Sequence, residues 1–141
     1  MNNIQKTIDI DVPVEHFYAL ITNFERYSSF LSDVKDARIV RHEGNVWDVE
    51  FTIQLIRRMN YILRLEGTPN QGLTWSFLSG QAFKKNDGGW SLEDLDGKTR
   101  ATYHVDIELT RFVPKAIASK LTLISLPSML EQWKREAEGS L

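Results

Sequence analysis

The sequence ATYHVDIEL occupies residues 101–109, and its odd-numbered side chains are apolar while the even-numbered ones are polar. A repeat of two residues is the period of a β-strand with one buried and one solvated face. The sequence VEFTIQL at residues 49–55 has the same alternation, again with apolar side chains at odd positions. These two segments predict strands of an antiparallel sheet with one apolar face.

Shorter segments between these two extend the predicted apolar face, and they contribute Tyr61, Leu63, Leu65, Leu73, Trp75, Phe77, Trp90 and Leu92. Turn signals at residues 42–45, 57–60, 68–72 and 96–97 separate the segments. Asp96-Gly97 is the clearest of them, because a type I′ hairpin turn needs positive φ at both central residues. Gly88-Gly89 is interpreted as a bulge or a sharp bend. Residues 34–109 therefore predict six consecutive antiparallel strands.

One strand and two short helices are predicted before this region. Residues 4–12 alternate in the manner of a strand, and Pro13 stops that strand and opens a helix. The helix has Phe17, Leu20 and Ile21 at helical spacing, and a second short helical segment covers about residues 25–31. The sheet is thus predicted to have about seven strands.

A C-terminal helical segment is predicted after Pro114. Apolar residues recur there at helical spacing, and Pro127 interrupts the segment. Because proline lacks a backbone donor and disfavours helical geometry at the residue before it, a break or a kink is expected at Leu126. This segment is the only large element available to cover the apolar face of the sheet. The sequence therefore predicts one α+β domain over residues 1–141, in which a curved antiparallel sheet wraps a C-terminal helix.

An apolar cavity is expected between the sheet and the helix, since a strongly curved sheet often fails to fill the space around a helix and ligand cavities are concave and mostly apolar. For each single residue, simple core packing is the alternative to ligand contact. The predicted ligand-binding side chains are Phe51, Ile53, Tyr61, Leu63, Trp75, Phe77, Trp90, Tyr103, Ile117, Leu121 and Ile124.

Composition excludes several classes of function. The 17 basic and 19 acidic residues leave a net charge of −2, which argues against DNA as a partner. The chain has no cysteine, so disulfides and thiolate chemistry are excluded. The three histidines show no metal-ligand spacing, and neither a metal nor a cofactor is expected. A cytoplasmic location is expected, because the amino terminus lacks the features of a signal peptide and the apolar stretches are too short to span a bilayer as a helix.

No constellation of residues demands catalysis. Tyr61, Arg64 and Tyr103 are the side chains considered for polarising a carbonyl, but Arg64 has the strand parity of the outer face. His104 and Asp106 share a face at a spacing of two, and that face is expected to point to solvent. No catalytic residue is therefore assigned.

The order of several motifs resembles the helix-grip superfamily, which includes START-like lipid-transfer domains, polyketide cyclase/dehydrase proteins, coenzyme Q-binding proteins and the ribosome-association toxin family. The motifs are VPVEHFY at residues 12–18, NFERYSSFL at 23–31, GGWSL at 88–92, DGKT at 96–99 and LEQWKREAE at 130–138. The resemblance covers nearly the whole chain. It implies a helix-grip fold of order β-α-α-β6-α and a cavity for a hydrophobic ligand.

Three functions are compatible with this resemblance. The first is non-catalytic binding or transport of a lipid, an isoprenoid quinone or a polyketide-like molecule. The second is an aromatase/cyclase-type enzyme acting on a polyketide-like substrate, and the third is an interaction protein that contacts the ribosome, which no sequence feature favours. A peripheral membrane contact is also considered, through Arg57-Arg58 or through Phe112-Val113 with Lys115 and Lys120 nearby.

Overall fold

The structure is a computed structural model that describes residues 2–54, 57–120 and 126–140. Its strands are β1 (Asn2–Ile10), β2 (Val34–Glu43), β3 (Val46–Gln54), β4 (Arg58–Thr68), β5 (Gly72–Gly80), β6 (Phe83–Asp94) and β7 (Thr99–Leu109). Its helices are α1 (Val14–Ile21), a 3₁₀ helix (Phe24–Ser29), α2 (Lys115–Lys120) and α3 (Leu126–Gly139). Among these described helices, none is both long enough and apolar enough to cross a membrane.

The seven strands form one antiparallel sheet in the order β1-β7-β6-β5-β4-β3-β2. β1 and β2 therefore lie at opposite edges, and the chain crosses the end of the sheet between them through α1 and the 3₁₀ helix. The predicted seven-stranded sheet with a C-terminal helix is confirmed. The second predicted helical segment, at residues 25–31, is a short 3₁₀ helix.

The alternation that predicted the strands corresponds to their burial. In β7 every odd-numbered residue from Thr99 to Ile107 is buried, and the even-numbered residues are partly or fully exposed. β3 buries Val49, Phe51 and Ile53 in the same way. The buried faces of all these strands point to the side of the sheet where α3 packs, so that the core lies between the sheet and that helix.

α3 presents one apolar stripe to the core, with Leu130, Trp133 and Ala137 buried. The Trp133 ring lies edge-on to Tyr27 at 4.9 Å and to Trp90 at 5.8 Å. Pro127 is the second described residue of α3. The predicted helix positions Leu121 and Ile124 lie outside the described residues.

The predicted hairpin turn at Asp96-Gly97 is confirmed, with φ values of 66° and 101° and a 2.8 Å hydrogen bond from Leu95 N to Lys98 O. The predicted turn at residues 57–60 is wrong, because β4 already begins at Arg58. Met59 is buried and pairs with Ile53. Met59 lies at an odd-numbered position, as Tyr61 and Leu63 do. This alternation indicated that the strand begins before the predicted end of the turn.

The interpretation of Gly88-Gly89 as a bulge is also wrong, because both glycines lie inside β6 and pair with β7 without a register shift. A Cβ atom on Gly88 would lie 2.3 Å from the carbonyl oxygen of His104 and 2.9 Å from Cζ2 of Trp75. Glycine is present because the neighbouring strand and the indole ring approach the backbone too closely for a side chain.

The β5–β6 ladder runs from the Gly72–Ser91 pair to the Trp75–Gly88 pair and goes no further, in a stretch that is described throughout. Beyond it, β5 follows β4 and β6 follows β7. The Asp87 carboxylate accepts a 3.1 Å hydrogen bond from Phe77 N at this point, so a side chain takes the place of a backbone acceptor. The sheet is therefore partly open in its middle.

Replacing Gly88 by alanine is expected to destabilise the fold by about 1–3 kcal/mol, because the added methyl group overlaps backbone that cannot move without disturbing two strands. The free energy of unfolding in urea measures this effect.

Gly139→Ala is the matched control, since a Cβ at that last position of α3 meets nothing within 4 Å. It is expected to leave stability unchanged or to raise it slightly. Equal stabilities of the two variants would contradict the close-approach explanation.

Candidate ligand cavity

A cavity of about 140 Å³ lies between the inner face of the sheet and α3. Strands β3 to β7 form its floor, and Leu126, Met129, Gln132 and Trp133 of α3 cover it. Its wall is mostly apolar. An engineered closed cavity of about 150 Å³ holds a benzene molecule, and since the present space is open on one side it can also take a compound of two fused rings.

Aromatic rings form much of the wall. The Tyr103 ring lies 5.7 Å from Trp75 and 5.1 Å from Trp90. Across the cavity, the Tyr61 ring lies 5.6 Å from Phe51 and 5.0 Å from Phe83. Each tyrosine is therefore held by two flanking rings, which fix the direction of its hydroxyl group.

The loop between the 3₁₀ helix and β2, together with the first residue of β2, forms one side of the cavity through Leu31, Asp33 and Val34. Gln132 of α3 fastens this segment to the helix. Its Oε1 accepts a 3.1 Å hydrogen bond from Ser32 N, and its Nε2 donates a 2.9 Å hydrogen bond to Ser32 Oγ. Both Gln132 and Asp33 are partly exposed, so the wall is most polar here.

A buried amide adds a polar group to the wall formed by β6. Asn86 is 6% exposed and lines the cavity. Its Oδ1 accepts a 3.3 Å hydrogen bond from Nε1 of Trp75. This bond orients the amide and leaves its NH₂ group as a donor.

Burial raises the pKa of the Tyr61 and Tyr103 hydroxyls well above the usual range, and the nearby Tyr61 raises that of Tyr103 further. Burial also raises the pKa of Tyr27, whose hydroxyl donates a 2.5 Å hydrogen bond to Ile21 O. The phenols are therefore neutral hydrogen-bond donors at physiological pH.

The structure brings seven of the predicted ligand-binding side chains to this cavity, namely Phe51, Ile53, Tyr61, Leu63, Trp75, Trp90 and Tyr103. Phe77 and Ile117 are not among its described lining residues. Phe77 packs on Phe83, whose ring centroid is 6.2 Å away, and Ile117 is fully buried in the core. Leu121 and Ile124 lie outside the described residues. Ligand contact by any of these side chains remains a prediction.

Several further residues line the cavity, and the sequence contained a signal for some of them. Val105 and Ile107 lie at odd-numbered positions of the same strand as Tyr103. Asn86 lies at an even-numbered position, as Trp90 does. An isolated polar residue in a strand is usually assigned to the solvent-exposed face. For this reason the alternation did not indicate Asn86 as a lining residue. Leu31 and Asp33 lie in the loop before β2, and Val34 is the first residue of β2; the approach of this segment to the cavity had no signal, since loop geometry has no simple periodicity.

The charged groups considered for chemistry, unlike Tyr61 and Tyr103, lie away from the cavity. Arg64 is on the outer face, where Nε and Nη2 donate to Asp48 Oδ1 and Oδ2 at 2.8 and 3.0 Å, and this pairing lowers the pKa of the Asp48 carboxyl. Asp106, on the outer face of β7, accepts a 2.7 Å hydrogen bond from Lys85. His16 Nε2 lies 3.0 Å from Ser140 Oγ. Within the described residues, no group of His, Asp and Glu side chains is arranged to hold a metal ion.

The two regions considered for membrane contact meet in the structure. Arg57 Nη2 donates a 3.4 Å hydrogen bond to the carbonyl oxygen of Phe112, and the Phe112 side chain is 73% exposed. The guanidinium group of Arg111 lies 5.2 Å from the centre of that ring. Membrane contact and ribosome contact both remain predictions.

Comparison with known families agrees with this arrangement of sheet, helix and cavity. A profile of the family described as "Polyketide cyclase / dehydrase and lipid transport" matches residues 10–124. The chain belongs to this family. It is thereby a member of the START-like, or helix-grip, superfamily that its motifs resemble. A comparison with curated protein sequences finds no match.

Solved structures share the fold of this polyketide cyclase/dehydrase family member along its whole length. The protein TTHA0849 from Thermus thermophilus superposes with a TM-score of 0.85 at 18% identity, covering 99% of each chain. A START superfamily protein from Mycobacterium smegmatis has a TM-score of 0.85 at 16% identity, also over 99% of each chain. The Zhui aromatase/cyclase from Streptomyces sp. R1128 has a TM-score of 0.79 at 12% identity, over 99% of this chain and 97% of its own. At these identities the likeness concerns the fold.

All four tyrosines have a raised pKa, and burial is the main cause for each. A tyrosine in the unfolded chain ionises at about pH 10. Above that pH the unfolded chain therefore binds fewer protons than the folded chain. Stability is therefore expected to fall as the pH rises beyond this point. In an alkaline titration, phenolate absorbance should appear together with the loss of circular dichroism.

The same titration of the urea-unfolded chain is the reference for ordinary tyrosines. Phenolate formation at the reference pH in a chain that keeps its circular dichroism would contradict the burial of these hydroxyls.

Proposed function

We propose that the protein binds a small hydrophobic molecule in the cavity between the sheet and α3 and carries it without transforming it. The observation that supports this is the apolar cavity of about 140 Å³ in a chain of 141 residues. Protein interiors are ordinarily packed as densely as organic crystals, so a space lined with aromatic rings is a feature that needs a reason. Burial of the ligand's apolar surface would supply the affinity.

The chemistry of the wall favours binding over catalysis. Asp33 is the only acidic side chain among the described lining residues, and no lysine, arginine or histidine is present among them. General acid–base catalysis works best with a group whose pKa is near the operating pH. The raised pKa values of Tyr61 and Tyr103 move both hydroxyls away from that range.

Cyclase activity is the alternative that the family and the Zhui aromatase/cyclase suggest. It would assign the cavity to a polyketide-like substrate, with Tyr61 and Tyr103 as the side chains that orient it. A larger substrate of that kind requires a wider cavity than the present one. Turnover of a polyketide-like substrate that is lost in Tyr61→Phe and Tyr103→Phe would replace the carrier proposal by this one.

Mass spectrometry of organic extracts from the purified protein tests the carrier proposal directly. A small hydrophobic compound is expected to recur across independent preparations and to disappear when the cavity is blocked. Repeated preparations without such a compound, together with a failure to bind added tetralin, would contradict the proposal.

Val105→Phe is expected to block the cavity, because Val105 is buried in its wall and the larger ring would project into the space. We expect tetralin binding, measured by calorimetry, to fall at least about tenfold, with stability reduced by no more than about 1–3 kcal/mol.

Val40→Phe is the matched control, since Val40 is 48% exposed and does not line the cavity. It should bind tetralin as the unaltered protein does. Equal loss in both variants would show that the effect of Val105→Phe does not arise from the cavity.

A further inference from the structure

The wall of the cavity contains hydrogen-bond donors that the protein does not use. Within the described residues, the hydroxyls of Tyr61 and Tyr103 make no hydrogen bond, although both side chains line the cavity. Tyr103 is 7% exposed. Because neither hydroxyl oxygen is fully enclosed by protein, water reaches both, and a ligand that accepts from them replaces that water with a directed hydrogen bond.

Asn86 provides a third unused donor. Because its Oδ1 is occupied by Nε1 of Trp75, its NH₂ group is the part left for a ligand. No described residue accepts a hydrogen bond from this NH₂ group. Asn86 and Tyr103 both contact Trp75, the one by its hydrogen bond and the other by its ring, so the two donors lie on the same side of the cavity.

The charge of the wall limits what these donors can bind. No cationic side chain lies among the described lining residues, and Asp33 adds a negative charge. A carboxylate or phosphate placed among apolar rings without a counter-charge would lose its hydration and gain too little in return. The donors therefore suit a neutral acceptor atom.

Resting on the proposed carrier function, we propose that the ligand is an uncharged ring compound with an acceptor oxygen, such as a ketone, and that Tyr103 is the principal donor to that oxygen. Tyr61 and the NH₂ group of Asn86 are the neighbouring donors. The rings of Trp75 and Trp90 provide flat surfaces beside Tyr103, against which a ring compound packs. On this assignment the ligand is neither a pure hydrocarbon nor a fatty-acid anion.

Three probes of similar size and different polarity test the proposal by isothermal titration calorimetry: 1-tetralone, tetralin and 1-naphthoate. In the unaltered protein, 1-tetralone is expected to bind about fivefold to tenfold more tightly than tetralin. This ratio corresponds to the free energy of one net hydrogen bond. 1-Naphthoate should bind more weakly than either. Tyr103→Phe should lower the affinity for 1-tetralone by a similar factor and leave that for tetralin unchanged.

Tyr18→Phe is the matched control. The Tyr18 hydroxyl likewise makes no hydrogen bond with a described residue, but it is fully buried and Tyr18 is not among the residues that line the cavity. Its removal should not alter the ratio of the two affinities. If Tyr103→Phe does not fold, Tyr61→Phe removes a neighbouring donor and is expected to lower the preference for the ketone.

The outcomes distinguish this proposal from the carrier function. Equal binding of 1-tetralone and tetralin, or binding of 1-naphthoate as tightly as 1-tetralone, overturns the ligand class while the carrier function stands. A ketone preference that persists in both Tyr103→Phe and Tyr61→Phe also overturns it. Failure of all three probes to bind the unaltered protein overturns the carrier function together with this proposal.

Discussion

The indole of Trp133 joins α3 to the sheet, and the position of this helix over the sheet depends on its contacts. Its ring packs edge-on against Tyr27 of the 3₁₀ helix and against Phe30 just after that helix, both at 4.9 Å, and against Trp90 of β6 at 5.8 Å. Such aromatic pairs contribute about 0.5–1.5 kcal/mol each beyond the area they bury. One side chain thus connects three regions that are far apart in sequence, and it sets the distance between α3 and the sheet.

The cavity follows from the same packing. Large planar rings that meet edge-on fix the separation of the elements but do not fill all the space between them. The space left between them, about 140 Å³, is open to solvent on one side. In the proposed carrier, a ligand in this space would bind the folded chain and not the unfolded one, so that its binding would stabilise the whole domain.

The sequence predicted the sheet well because period-two alternation is a direct consequence of strand geometry, as residues 101–109 illustrate. It failed at residues 57–60, where a pair of arginines suggested a turn although Met59 continued the apolar parity. It failed again at Gly88-Gly89, since glycine in a strand is compatible with a bulge and with a close approach, and only the neighbouring strand decides between them. In the cavity, Phe51, Tyr61, Trp75, Trp90 and Tyr103 were predicted from parity, whereas Phe83 was not, because a register shift between Phe83 and Lys85 reverses its parity relative to Trp90. Asp33 and Gln132 were not, because their positions depend on how the loop before β2 meets α3.

The short ladder between β5 and β6 divides the sheet into two halves, one formed by β2 to β5 and the other by β1, β6 and β7. Four residue pairs form the backbone ladder between the halves, and beyond them the carboxylate of Asp87 accepts a hydrogen bond from Phe77 N. Tyr61 belongs to one half and Tyr103 to the other. Side chains close the seam, since the Tyr61 ring packs on Phe83 and the Tyr103 ring packs on Trp75, each pair reaching from one half to the other. The aromatic rings that line the cavity therefore also hold the two parts of the sheet together where the backbone ladder ends.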